Sequence, residues 1–124
     1  MMTLYRPLAF SLALLAVFAG PGTAQIPAYD GPPPTEVRTY GAAPQQFGEL
    51  RLPAGEGPFP VAVLIHGGCW LDSLGEGSIT PVAAALTESG IATWNVEYRR
   101  LGHDGGCWTG TFLDVGAGMD LLRE

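Results

Sequence analysis

Six apolar residues, Pro60 to Ile65 (PVAVLI), run straight into His66-Gly67-Gly68. A segment with no polar position and with Val61, Val63 and Ile65 β-branched predicts an interior parallel strand, covered on both faces. Parallel strands need a long crossover, usually a helix. The sequence supplies one over Ile79 to Ser89, opened by Thr80-Pro81 as an N-cap and N1 pair and closed by Gly90 at C′. Ile79, Val82, Ala83 and Leu86 form its apolar stripe. Ile91 to Tyr98 (IATWNVEY) is strand-like again. Strand, helix and strand make a right-handed βαβ unit, so the fold class is α/β.

The flanks add to that unit. Glu36 to Tyr40 and Phe47 to Leu52 alternate as half-buried strands, with Leu50 and Leu52 opposite Glu49 and Arg51. They are expected to form an antiparallel prelude. Arg99 to Gly110 is a Gly-rich loop, in which His103 is expected to be solvated. A last helix starts near Thr111, with Asp114 at N3 expected as a capping partner and also as a partner for Arg99. Its expected inner face is Phe112, Val115, Met119 and Leu122.

Residues 1–24 read as a signal peptide. Arg6 precedes the uncharged run Leu8 to Ala19, and small residues lead to a cleavage site after Ala24. The apolar run is too short to span a bilayer, for which about 20 residues are needed. The expectation is a secreted or periplasmic protein with no stable membrane insertion after cleavage. Residues 25–35 form a Pro-rich linker, and residues 36–124 the domain. The formal net charge is -6 and every one of the six cations is arginine. With no basic cluster, nucleic acid is not an expected partner. Two cysteines and two histidines at these spacings match no zinc pattern, so no metal is expected.

The chemistry sits in VAVLIHGGCW, residues 61–70. Two glycines after a buried strand let the backbone turn sharply and present its N–H groups unobstructed. Such donors at the carboxyl end of a parallel sheet suit an oxyanion hole. Gly67, Gly68 and Cys69 are therefore candidate oxyanion donors, with a plain tight turn as the alternative. His66 is expected to orient this loop rather than act as a base.

Three segments in order, HGGCW (66–70), WNVEYRR (94–100) and GGCWTGTFLDV (105–115), resemble the HGGxW branch of the α/β-hydrolase superfamily. That branch holds esterase, lipase and kynurenine-formamidase-like enzymes. Cys107 and Thr109 stand where its pattern has Gly and Pro. The resemblance implies a three-layer αβα sandwich, of which these residues hold strands one to four and the first two helices. It implies a serine hydrolase acting on a small-molecule carboxylic ester or aryl formamide, with no cofactor. The triad it calls for is absent: Ser11, Ser73, Ser78 and Ser89 all lack the G-x-S-x-G frame. The 124 residues are thus expected to be an N-terminal part, inactive by itself. Trp70 and Trp108 are candidate substrate-pocket residues, with rim or core packing as the alternative. Export favours a Cys69–Cys107 disulfide between neighbouring loops. Two other readings remain open: an exported dipeptidyl-type peptidase, and a non-catalytic binding module or pseudoenzyme.

Overall fold

The computed structural model describes Tyr29 and residues 31–123. The expected signal peptide, and residues 25–28 and 30 of the linker, lie outside them. Four strands form one sheet: β1 (Glu36–Thr39), β2 (Phe47–Arg51), β3 (Val61–Ile65) and β4 (Ala92–Val96). Two helices accompany it, α1 (Thr80–Glu88) between β3 and β4 and α2 (Gly110–Asp120) after β4. The order across the sheet is β1-β2-β4-β3. β1, β2 and β4 pair antiparallel, and β3 pairs parallel with β4. This is the expected antiparallel prelude joined to a βαβ unit.

Alternation along β4 makes the layers. Thr93 and Asn95 point to one face, where Thr93 Oγ1 meets Thr87 Oγ1 of α1 at 3.2 Å and Asn95 Nδ2 donates to Glu76 O at 3.1 Å. Trp94 and Val96 point to the other, where Trp94 Nε1 donates to Gly118 O of α2 at 2.7 Å. The two helices therefore cover opposite faces, as a three-layer αβα arrangement requires. All five residues of β4 are buried, so this strand, and not β3, is the centre of the core.

Several local expectations give way. β3 lies at the sheet's edge among the described residues, with Val61 53% and Ile65 46% exposed, because it pairs only with β4. Thr80 does not cap α1; Ile79 holds the cap position, and Thr80 Oγ1 donates back to Glu76 O. Gly90 does take the left-handed φ of +87° that ends the helix. The charged face of β2 is not solvated. Arg51 is buried, donates to Pro32 O at 2.7 Å and lies over the Tyr29 ring, which holds the Pro-rich segment against the domain.

The inner face of α2 is rotated from the expected stripe. Thr111, Asp114 and Gly118 are buried, whereas Phe112 and Met119 are exposed. The large Trp94 ring opposite decides this. A Cβ on Gly118 would sit 2.8 Å from Val96 Cγ1, so at this position the helix approaches the sheet only because it has no side chain. Among the described residues no helix is long and apolar enough to cross a membrane.

Candidate active site

β3 delivers the chain to His66 at the carboxyl end of the parallel pair, and a buried polar network fixes the turn that follows. His66 is 2% exposed. Its ring stacks on Tyr98 with centroids 4.3 Å apart and planes 6° from parallel. Tyr98 Oη donates to His66 O at 2.5 Å. His66 Nε2 lies 3.1 Å from Glu97 Oε1, and Nδ1 lies 3.0 Å from Gly67 O. His66 thus orients the loop, as expected.

Glu97 is the hub. Besides His66, it accepts from the amides of Tyr98 (2.7 Å) and Glu76 (3.1 Å), and from Arg100 Nη1. Burial pushes its carboxyl up, but bonds from His66, Glu76, Arg100 and the Tyr98 amide outweigh that and hold it well below the usual range. Glu76 shows the opposite outcome. Burial first, and then its hydrogen bond to and charge repulsion from Glu97, push it up to about 7. Burial also raises Tyr98, helped by the Glu97 charge.

Beyond His66 the backbone bends abruptly. Gly68 has φ +123°, and Cys69 and Trp70 follow at +52° and +57°. A Cβ on Gly68 would meet Leu74 Cβ at 2.8 Å, so only glycine fits. Two successive non-glycine residues in the left-handed region are uncommon and cost conformational energy. The amides of Gly67, Gly68 and Cys69 donate to no group among the described residues. Gly67 and Cys69 are exposed and Gly68 is partly so. The turn closes through Leu71 N, which donates to Gly68 O at 2.9 Å, and leaves the three amides themselves without an acceptor.

The residues of this turn border an apolar hollow. One part, about 550 Å³, is lined by Ile65, His66, Gly67, Gly68, Tyr98 and Val115 among others. A second part, about 340 Å³, is lined by Cys69, Trp70, Leu101, Cys107, Trp108 and Phe112. Cys69, Trp70 and Phe112 border both. Phe112 packs edge-on to Trp108 at 5.1 Å and tilted to Trp70 at 6.4 Å. The two tryptophans thus line the rim of one hollow, Trp108 being 81% exposed. Other hollows, beneath Pro32 and Pro33, involve none of the loop amides.

The 99–110 loop is pinned on both sides. Asp114 accepts from Arg99 N, Nε and Nη2 and from Gln46 Nε2, all within 3.0 Å. Asp114 therefore pairs with Arg99 instead of capping α2, whose N-cap Thr109 makes no side-chain bond. His103 is not solvated either. It accepts from the Arg100 amide and contacts Asp72 at 2.5 Å. Cys69 and Cys107 are both free thiols in this structure, each on its own loop and each bordering the shared hollow. No group of three or more His, Cys, Asp or Glu residues is placed to hold a metal among the described residues.

No protein-family model matches the chain, and no curated protein does. Solved structures do. Esterase B from Lactobacillus rhamnosis, in two phosphonate- or SN3-inhibited forms, is similar at 28% identity and TM-score 0.59 over 75% of this chain. A provisionally named thioesterase from Silicibacter sp. is similar at 20% identity and TM-score 0.59 over 69% of this chain. The chain spans 32% of the length of each. The fold is of the α/β-hydrolase type. Within that fold, the sheet order found here puts the free amides at the carboxyl end of the parallel strands, where open α/β sheets place their ligands.

The residues that sequence reasoning missed are Glu97, Arg100, Glu76 and Phe112. A glutamate in an alternating strand reads as solvent-facing. The one available signal was the run Glu97-Tyr98-Arg99-Arg100, three ionisable side chains and a tyrosine directly after a strand.

Proposed function

We propose that this chain forms the oxyanion side of a secreted serine hydrolase of the HGGxW type, which cleaves a carboxylic ester or an aryl formamide. The observation that carries the reading is the set of unpartnered amides at Gly67, Gly68 and Cys69, in a turn that borders an apolar hollow. The likeness to an esterase that takes a tributyrin phosphonate supports an ester as the substrate class.

In this reading a serine attacks the carbonyl carbon, and the carbonyl oxygen becomes an anion. The Gly68 and Cys69 amides donate to it as charge develops. The acyl or aryl group enters the hollow between Trp70, Trp108 and Phe112. No serine of these 124 residues stands in a G-x-S-x-G frame, so none of them is assigned as the nucleophile. The His66–Glu97–Arg100 network holds the donors in place before substrate arrives, so no reorganisation is needed in the transition state. Residues 1–24 direct export, and no cofactor takes part.

The test uses the whole reading frame that contains this segment. It should hydrolyse a nitrophenyl ester and be inactivated by a fluorophosphonate. Gly68→Pro should lower kcat by about 100-fold or more, the cost of losing one such donor. Unchanged kcat would show the loop to be a turn only. Failure of the fluorophosphonate to label the protein would end the serine-hydrolase reading.

A further inference from the structure

We propose that Cys69 and Cys107 are a reversible dithiol whose oxidation bridges and closes the apolar hollow beside the oxyanion loop. They are the two cysteines of the sequence, both are free, and both border the same cavity. Each belongs to a loop rather than to a helix or strand. Those loops are already joined. Trp70 O accepts from the Leu101 amide at 2.9 Å. Asp72 contacts His103 at 2.5 Å and Arg100 at 3.7 Å. The stretch just after Cys69 is thereby tied to residues 100–103, a few positions before Cys107.

The chemistry is thiol–disulfide exchange with a small-molecule disulfide as oxidant. Cys69, the more exposed, attacks as thiolate and forms a mixed disulfide, releasing one thiolate. Cys107 then attacks the Cys69 sulfur, forms the internal bond and releases the second thiolate. Two protein thiols have lost two protons and two electrons, and the oxidant has become two thiols. The new bond spans the cavity walled by Trp70, Leu101, Trp108 and Phe112, and ties the oxyanion loop to the 99–110 loop. The crosslink itself is independent of the proposed ester hydrolysis; only its effect on turnover rests on that reading.

The sequence makes the bond easy to see. With no lysine, trypsin cuts after Arg51, Arg99 and Arg100, so Cys69 and Cys107 fall on different peptides, 52–99 and 101–123. The reduced chain is titrated with oxidised and reduced glutathione, alkylated and digested without reductant. The expected product is the two peptides joined, restored to separate alkylated peptides by dithiothreitol. Half-conversion should need a redox ratio about tenfold more reducing for native protein than for protein in guanidinium, because folding holds the thiols together. Equal ratios, or separate glutathione adducts on each cysteine, would overturn the proposal. In the full reading frame, oxidation should abolish hydrolysis of a nitrophenyl ester, and Cys107→Ser should stop at a glutathione adduct on Cys69, with no joined peptides. A crosslinked protein with full turnover would overturn the closure. An inactive reduced protein that crosslinks normally would count against the proposed hydrolysis alone.

Discussion

Asp114→Asn changes one charge and almost no volume, and its cost follows from the bonds around it. The residue is 1% exposed and accepts two bonds at each carboxylate oxygen. An amide offers one oxygen, so its NH₂ must face either the Arg99 amide and Nε, or Arg99 Nη2 and Gln46 Nε2. Two bonds are lost and donors confront donors. Removing one partner of a buried ion pair costs about 3–5 kcal/mol. The Arg99 side chain keeps 21% of its exposure, so solvent screening places this pair at the lower end, about 3 kcal/mol. For a domain of this size each kcal/mol moves Tm by about 4–8 °C, so a fall of about 12–24 °C is expected. Thermal unfolding followed by far-UV circular dichroism at pH 7 measures it. The pH dependence checks the cause. Burial alone would raise the Asp114 pKa, but Arg99 and Gln46 hold it below the ordinary 3.8. A depressed carboxylate stabilises the fold above its unfolded pKa, and that stability is lost as pH falls through the folded value. The gap between the native protein and the variant should therefore narrow below about pH 4. A Tm change under about 4 °C at pH 7, or a gap that does not vary with pH, would refute the reasoning.

Gly118→Val should destabilise by about 1–3 kcal/mol or more, read as a lower urea midpoint, because its Cβ alone would sit 2.8 Å from Val96 Cγ1. Glu76→Gln tests the raised carboxyl. Glu76 titrates near 7 in the fold against an ordinary 4.5, so the folded state holds the extra proton between those values. Stability should fall as pH rises across that window, and the glutamine variant should remove the fall. Urea midpoints at pH 5 and pH 8 decide it, and an unchanged difference between them would place Glu76 in solvent.

The βαβ unit was legible because its signals are local. An unbroken apolar run, a Thr-Pro helix start and a left-handed glycine stop each depend on a few neighbouring residues. The same run located the turn at Gly67 and Gly68. What was not legible depends on the opposing surface. The stripe of Phe112, Val115, Met119 and Leu122 is the most apolar line along α2, yet Thr111, Asp114 and Gly118 are the buried ones. A helical stripe registers hydrophobicity along one helix and is blind to the Trp94 ring across from it. Likewise, Pro60 to Ile65 reads as an interior strand, and whether both faces are covered depends on neighbours that the run itself does not encode.

Placing four ionisable side chains at the end of β4 and around it is costly, since each buried charge loses its hydration. An apolar cluster of similar volume would stabilise the fold at least as well, so the network has to be explained by geometry. Glu97 and Arg100 turn toward His66 and fix the turn at Gly67 and Gly68 from below. Arg99, between them in sequence, turns the opposite way to Asp114 and fixes α2 and the hollow's far wall. One short segment, Glu97 to Arg100, thus ties both the turn at Gly67 and Gly68 and the helix carrying Phe112. Replacing Glu97 by an apolar residue would leave Arg100 buried beside a histidine without their shared acceptor, and the turn would lose its lower support. A hydrophobic substitute could not keep two walls in register, because packing of apolar side chains constrains volume more than direction.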